Sequence, residues 1–180
     1  KEIIDAELQL KDLETVESRI QKVQKQAQTG GDKQAKQIYE VLVKYKEALE
    51  QGLSARTVTF ETKDEEKIAR ELFLLTAKPV LYVCNVDEAS AATGNQYVER
   101  VREVAQKEGA EVLVIAAKIE SEMAEFETYE ERQMFLAEIG LEESGVARLI
   151  KSAYALLKLK TYFTAGVQEV RAWTFRDGWK

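Results

Sequence analysis

The chain has 180 residues, enough for one ordinary domain or two small ones, and its 45% hydrophobic content excludes a wholly disordered polypeptide. With 26 Lys+Arg against 32 Asp+Glu the net charge is −6, which excludes a uniformly basic nucleic-acid binder and confines any basic surface to a local patch. Histidine is absent and Cys84 is the only cysteine, which removes Ser-His-Asp and Cys-His catalysis, histidine metal clusters, an intramolecular disulfide and a Cys-rich zinc site.

Along the chain, Ala6, Leu10, Leu13, Ile20 and Ala27 fall at heptad-like spacing with Val16 and Val23 beside them, which predicts a long amphipathic helix. Thr29, Gly30 and Gly31 break it, and Asp32 stands where it can cap a second helix carrying Ile38, Leu42, Tyr45 and Leu49. The two are expected to fold back as an antiparallel coiled-coil hairpin over residues 1–52, closed by Gly52. Residues 56–60 read as a short β-rich connector. Thr62 with Glu65 fits a capping box for a helix over 64–76 with Ile68, Leu72 and Leu75 on one face.

Pro79, the only proline, introduces an apolar run over 80–84 of the kind buried on both faces of a parallel sheet. A helix begun by Thr93 and Gln96 and ended near Gly109 leads to a second apolar strand over 111–116. Strand, helix, strand in that order implies the parallel crossover of an α/β sheet, with further sheet partners outside these residues. Thr128 and Glu131 cap a helix through Ile139, and another over 144–157 is expected to turn Val146, Leu149, Ile150, Tyr154 and Leu157 inward. Residues 161–164 and 170–175, joined by a turn at Gly166, read as a hairpin opening a small β-rich domain.

No apolar run reaches the roughly 18 to 20 residues that span a bilayer, and residues 1–7 lack the apolar stretch of a signal peptide, so the expected location is cytoplasmic. The chain opens on Lys1 without an initiator Met and stops just past a strand-like stretch, so the expectation is a fragment. It contains no Gly-x-x-x-x-Gly-Lys-Ser/Thr loop. Its nearest likeness, 140–146, has Val146 where the lysine belongs and two acids where phosphate would sit, which fits a helix-to-helix turn.

Asn85-Val86-Asp87-Glu88 follows the first apolar strand, at the end where α/β folds bind ligands. An asparagine there either pairs with a purine edge or sits in an ordinary turn. Cys84 reads as a small buried hydrophobe and Trp173 as core of the β-rich domain, while Trp173 and Trp179 could also stack on RNA bases. Glu120, Glu122, Glu125, Glu127, Glu130 and Glu131 read as solvated charge, and no metal ligand set is expected. Lys22, Lys25, Lys33, Lys36, Lys44 and Lys46 against Asp32 and Glu40 give the hairpin's far half a local charge of +4. That is either a footprint for RNA phosphates or a solvated helix surface.

Taken together, 78–88, then Ala117-Lys118-Ile119-Glu120, Tyr162-Phe163-Thr164-Ala165-Gly166 and Glu169-Val170-Arg171-Ala172-Trp173-Thr174 resemble, collinearly, the YchF family of Obg-like ATPases. Residues 13–17 and 30–33 resemble that family's helical hairpin. The resemblance implies an α/β P-loop G domain with an inserted coiled-coil hairpin and a small β-rich TGS domain. On it, 1–52 is the hairpin, 53–158 the last part of the G domain and 159–180 the start of TGS. It also implies ATP and Mg2+ as ligands of the intact protein, a ribosome or RNA as partner, no membrane or DNA, and phosphate-binding and catalytic residues that precede Lys1.

By the same likeness, Asn85, the backbone of Val86, Glu88 and the loop Ala116, Ala117, Lys118 hold the base, with Ala116 departing from the usual serine. GTPases use Asn-Lys-x-Asp, whose aspartate accepts from two guanine N–H groups. Glu88 is one methylene longer at that place, which favours adenine. A different class of reading keeps only a non-enzymatic module in which the hairpin binds protein or RNA and the α/β part is scaffold.

Overall fold

A computed structural model describes residues 1–28 and 32–178; the expected break at Thr29, Gly30 and Gly31 and the second tryptophan, Trp179, lie outside the described residues. Two compact units divide between Pro79 and Val80.

The first unit is built on α1 (Glu2–Gln28) and α2 (Lys33–Glu50). Asp32 caps α2, its carboxylate accepting from the backbone N–H of Gln34 at 2.9 Å and Ala35 at 3.1 Å. Glu17 pairs with Lys46 at 2.9 Å and the Gln9 amide reaches the Gly52 carbonyl at 3.0 Å, so the two helices run antiparallel. The buried seam differs from the expected stripe. Val16 is fully buried, with Leu13, Ile20 and Val23 packed beside it against Val41, Leu42, Tyr45 and Leu49, whereas Leu10 and Ala6 face outward. The row four residues apart through Val16 and Ile20 extends back to Asp12, not to Leu10.

That core also takes in Ala55, Ala69, Leu72 and Leu74, which is why the unit runs on to Pro79. The expected β-rich connector is instead a single 3-10 turn, Ala55–Thr57, followed by irregular chain. Among the described residues no strand pairs with it, and Phe60 packs edge-on against Tyr45. Helix α3 (Lys63–Glu71) begins with the expected capping box at Thr62 and Glu65 but stops five residues early. Phe73 takes the left-handed conformation (φ 54) and turns the chain out of the helix, so that Leu75 and Thr76 can meet Asp12.

Glu65 serves twice, accepting from the Thr62 backbone N–H and hydroxyl and from the Lys44 ammonium at 2.6 Å. The Lys44 hydrogen bond, followed by those from Thr62, holds its carboxyl at about 2, below the ordinary 4.5. A depressed carboxyl stabilises the fold above its unfolded value, and that contribution is lost as pH falls from 4.5 toward 2. Glu65→Gln is therefore expected to flatten this segment of the acid-unfolding profile and, because the Glu65 hydrogen bond is what chiefly raises the Lys44 ammonium, the alkaline limb as well, both read by circular dichroism.

In the second unit β1 (Leu81–Asn85) and β2 (Glu111–Ile115) pair in parallel, Cys84 opposite Val114 and Asn85 opposite Ile115. Helix α4 (Gln96–Glu108) joins them and ends at Gly109 in the left-handed region. Its cap is Asn95, which accepts from the N–H groups of Tyr97 and Val98, and not Thr93. β1 is not buried on both faces: Val83 is exposed and Cys84 half-buried, because β2 is its one strand partner among the described residues.

Beyond β2 come α5 (Ala117–Met123), α6 (Tyr129–Glu138) and α7 (Gly145–Leu156). Thr128 and Glu131 form the expected capping box, so Glu131 is a helix cap and not free charge. Residues 140–144 are the turn between α6 and α7. Helix α7 exposes most of the residues expected inward, with Val146 50% and Ile150 54% exposed and Tyr154 and Leu157 also exposed, while Leu149 is half-buried. It carries two candidate stripes, and the packed one is the row Gly145, Arg148, Ser152. Gly145 lies against Ile115, Arg148 donates to the Val114 carbonyl at 2.9 Å and Ser152 to the Glu111 carboxylate at 2.9 Å. Directional polar bonds to β2 thus decide the helix's rotation over apolar area.

Strands β3 (Leu159–Ala165) and β4 (Val170–Arg176) form the expected antiparallel hairpin, Tyr162 opposite Trp173, closed by the Gly166 N–H on the Glu169 carbonyl at 2.9 Å. Trp173 is not core here: it is 44% exposed and donates its indole N–H to the Thr164 hydroxyl at 2.9 Å.

Candidate functional site

Two loops leave the carboxyl ends of β1 and β2 side by side. The strand register places Asn85 opposite Ile115, and the Val86 N–H donates to the Ile115 carbonyl at 2.8 Å, continuing the ladder one residue past β1. The cross-link that matters is made by a side chain. Asn85 accepts the backbone N–H of Ala117 at 3.0 Å on its Oδ1. Ala116 occupies the cap position of α5 and, having no hydroxyl, makes no capping bond there. Asn85 supplies from the neighbouring strand an acceptor for the N–H of Ala117, the first residue of α5 and one of the helix's unpaired donors.

With Oδ1 so used, the two N–H donors of the Asn85 amide have no protein acceptor among the described residues. Val86 packs with Ala91, Ala116, Ile119, Met123 and Leu136, so the base of the first loop is anchored in a small apolar cluster. Asp87 caps the 3-10 turn Glu88–Ser90 by accepting the Ser90 N–H at 2.9 Å, which turns Glu88 toward the second loop. There Lys118 stands 3.6 Å from the Glu88 carboxylate and 3.6 Å from that of Glu122. The structure thus brings Asn85, Val86, Glu88, Ala116, Ala117 and Lys118 together at one end of the sheet.

The carboxylates expected to be plain solvated charge divide. Glu120 accepts the N–H of Gly145 at 2.6 Å and of Val146 at 3.2 Å, and so holds the first turn of α7. Sequence reading missed it. The available signal was its place on the same short helix as Lys118, facing a Gly145 that has no room for a side chain: a Cβ there would lie 2.8 Å from Ile115 Cγ2. Asp12 was missed as well. It is a charged residue 2% exposed in an apolar seam, and its signal was its spacing of four from Val16.

The six hairpin lysines do not form one patch. Lys44 is taken by Glu65 and lies over the Phe60 ring, and Lys46 is taken by Glu17 and Glu50, both toward the end of the hairpin away from residues 29–31. Lys36 pairs loosely with Glu40 at 3.9 Å, and Lys22, Lys25, Lys33 and Lys36 flank the end nearest residues 29–31. Among the described residues no group of three or more Cys, Asp or Glu is placed to hold a metal ion.

Parallel strands joined by a helix, with two cross-linked loops at their carboxyl ends, make the second unit an α/β protein of the kind whose ligand crevice lies outside those strand ends. No family model matches the chain. It is 54% identical over 181 residues to the ribosome-binding ATPase YchF of Bacillus subtilis, covering 99% of this chain and 49% of that protein. It is 46% identical over 177 residues to the ribosome-binding ATPase YchF of Escherichia coli O157:H7, covering 98% and 48%. Against the Obg-like ATPase 1 of Rattus norvegicus it is 36% identical over 183 residues, covering 99% and 46%. The solved structure of the Schizosaccharomyces pombe YchF GTPase superimposes with a TM-score of 0.84 at 29% identity, covering 99% of this chain and 48% of that one. The chain belongs to the YchF and Obg-like ATPase family, and it spans about half the length of the curated relatives it matches.

Proposed function

We propose that these residues are the adenine-reading part and the helical hairpin of an ATP-binding, ATP-hydrolysing protein that works on the ribosome in the cytoplasm. The relatives' names support the ATPase and ribosome halves of this reading, and no described helix is long and apolar enough to cross a membrane. The observation that carries the base-reading half is the Asn85 bond to the Ala117 N–H, which ties the two loops together and leaves the asparagine's N–H donors for a ligand.

An amide N–H on Asn85 suits the ring nitrogen of any purine, and its second Oδ1 lone pair suits the exocyclic amine of adenine. Guanine offers two N–H donors that need a squarely placed acceptor. Glu88 is a methylene longer than aspartate and its charge is offset by Lys118, so those donors go poorly matched. Bound ATP would bring the phosphates on which hydrolysis acts. Their binding loop has no counterpart in these residues, and Mg2+ has no ligands assigned among them. On this reading the 180 residues alone do not hydrolyse ATP. On this reading Lys22, Lys33 and Lys36, near the hairpin's end, are the cations that meet RNA.

Asn85→Ala in the longest form of the protein its cell makes is expected to weaken ATP binding by about tenfold or more, since a lost hydrogen bond to a buried ligand group is worth on the order of 1–3 kcal/mol. Asn85→Asp keeps the acceptor for Ala117 but removes the N–H donors, so it should lose ATP while the loops stay joined. Calorimetric affinities unchanged in both variants would remove Asn85 from the base site.

A further inference from the structure

We propose that Glu120 is a positioning residue for the 116–118 loop, fixing that loop by clamping it to the first turn of α7. Its functional half rests on the base-reading assignment above.

Helix α5 starts directly at the loop and is short, so its seven residues cannot hold their own orientation by helical hydrogen bonding alone. Two contacts fix it. Ile119 and Met123 sit in the apolar cluster with Ala91 and Leu136, which sets which face is inward. Apolar packing is non-directional and leaves sliding along that face. Glu120, one residue from Ile119 and two from Lys118, removes that freedom through both carboxylate oxygens, one to the N–H of Gly145 and one to that of Val146. Charge-assisted bonds of this kind are short and directional.

The receiving side is itself fixed to the strand beneath the loop. Gly145 lies so close to Ile115, the residue before Ala116, that a Cβ would meet its side chain at 2.8 Å and the Glu120 carboxylate at 2.9 Å. Arg148, one turn on, donates to the Val114 carbonyl. A closed ring of contacts results: Ile115 to Gly145, Gly145 to Glu120, and Glu120 back through α5 to Ala117, whose N–H Asn85 accepts. The lateral position of Ala117 and Lys118 relative to Asn85 and Glu88 is therefore set by a carboxylate that touches neither loop partner.

The test is amide hydrogen exchange by NMR on the 180-residue chain, wild type against Glu120→Ala and Glu120→Gln, with adenosine as probe. Expected for Glu120→Ala is loss of protection at Gly145 and Val146 together with exchange at Ala117 about tenfold faster, and adenosine affinity lower by about fivefold. Glu120→Gln keeps one neutral acceptor in place of two charged ones and should leave Ala117 exchanging faster than wild type but slower than in Glu120→Ala. If Glu120→Ala fails to fold, Glu120→Gln decides: Ala117 exchange faster than wild type supports the clamp, and wild-type exchange overturns it. Deprotection confined to Gly145 and Val146, with Ala117 and adenosine binding unchanged, would reduce Glu120 to a helix cap and overturn the proposal. Failure of wild-type adenosine binding to shift Asn85 and Ala117 signals would instead sink the base-reading assignment, leaving the clamp to stand or fall on the Ala117 exchange rate.

Discussion

Asp12→Ala is expected to destabilise the first unit by about 2–6 kcal/mol, from two backbone donors left unpaired at about 1–3 kcal/mol each. Asp12 is 2% exposed and accepts three hydrogen bonds at 2.7 Å each, from the Leu75 N–H on one oxygen and from the Thr76 N–H and hydroxyl on the other. Thr76, also 2% exposed, passes the connection on, its hydroxyl accepting the Ala55 N–H at 2.9 Å while its carbonyl accepts from Arg56. Truncation leaves two backbone donors in a dry site, where each unpaired group costs about 1–3 kcal/mol. Asp12→Asn should recover only part of the loss, because whichever way the amide is set, its NH2 faces an N–H donor. The check is urea unfolding of the three proteins by circular dichroism: an Asp12→Ala midpoint within error of wild type would show that the carboxylate is not holding this segment.

Gly145→Ala is expected to cost about 1–3 kcal/mol, the range for forcing an extra methyl into a filled space. Ordinarily alanine strengthens a helix relative to glycine, by about 1 kcal/mol. Here the sign reverses, because the methyl would sit 2.8 Å from Ile115 Cγ2 and 2.9 Å from the Glu120 carboxylate. Backbone conformation is not the obstacle, as Gly145 lies outside the left-handed region. Thermal unfolding distinguishes the two: a lowered midpoint supports the close contact, and a raised one contradicts it. Relief on pairing with Ile115→Ala, which removes the Cγ2 methyl in contact, would add that the clash is with this residue.

Much of the fold was legible because local chemistry and tertiary packing agree. Thr62 with Glu65 and Thr128 with Glu131 are reciprocal capping boxes both in pattern and in geometry. Asp32 caps α2, and the parallel pairing of β1 with β2 follows from the strand, helix, strand order. Sequence reading failed where two periodic solutions compete. Helix α7 has apolar residues on the face it exposes, and it is Gly145, Arg148 and Ser152 that dock, through bonds whose partners are 34 and 41 residues away in sequence. Helix α1 was phased onto Leu10 in the same way, because an aspartate in the true row looked like surface. Trp173 looked like core because an aromatic in a strand usually is, but its face of the hairpin is open among the described residues.

At the candidate site, position was legible and wiring was not. The loop after β1 could be located from the apolar run ahead of it. That Asn85 would accept from Ala117 at the start of α5 depends on two strands being in register and could not be read from either loop. The lysines show the same limit: six cations in sequence order read as one patch, while acids from α1, α2 and α3 neutralise Lys44 and Lys46.

The most direct test of adenine reading is the ratio of ATP to GTP affinity, measured by calorimetry in the longest form of the protein its cell makes, for wild type and Glu88→Asp. The account predicts a preference for ATP in the wild type and a shift toward GTP of about tenfold in the variant, as the shorter acid withdraws from Lys118 and meets the guanine N–H donors. Equal ratios in the two proteins, or a wild type that favours GTP, would contradict it.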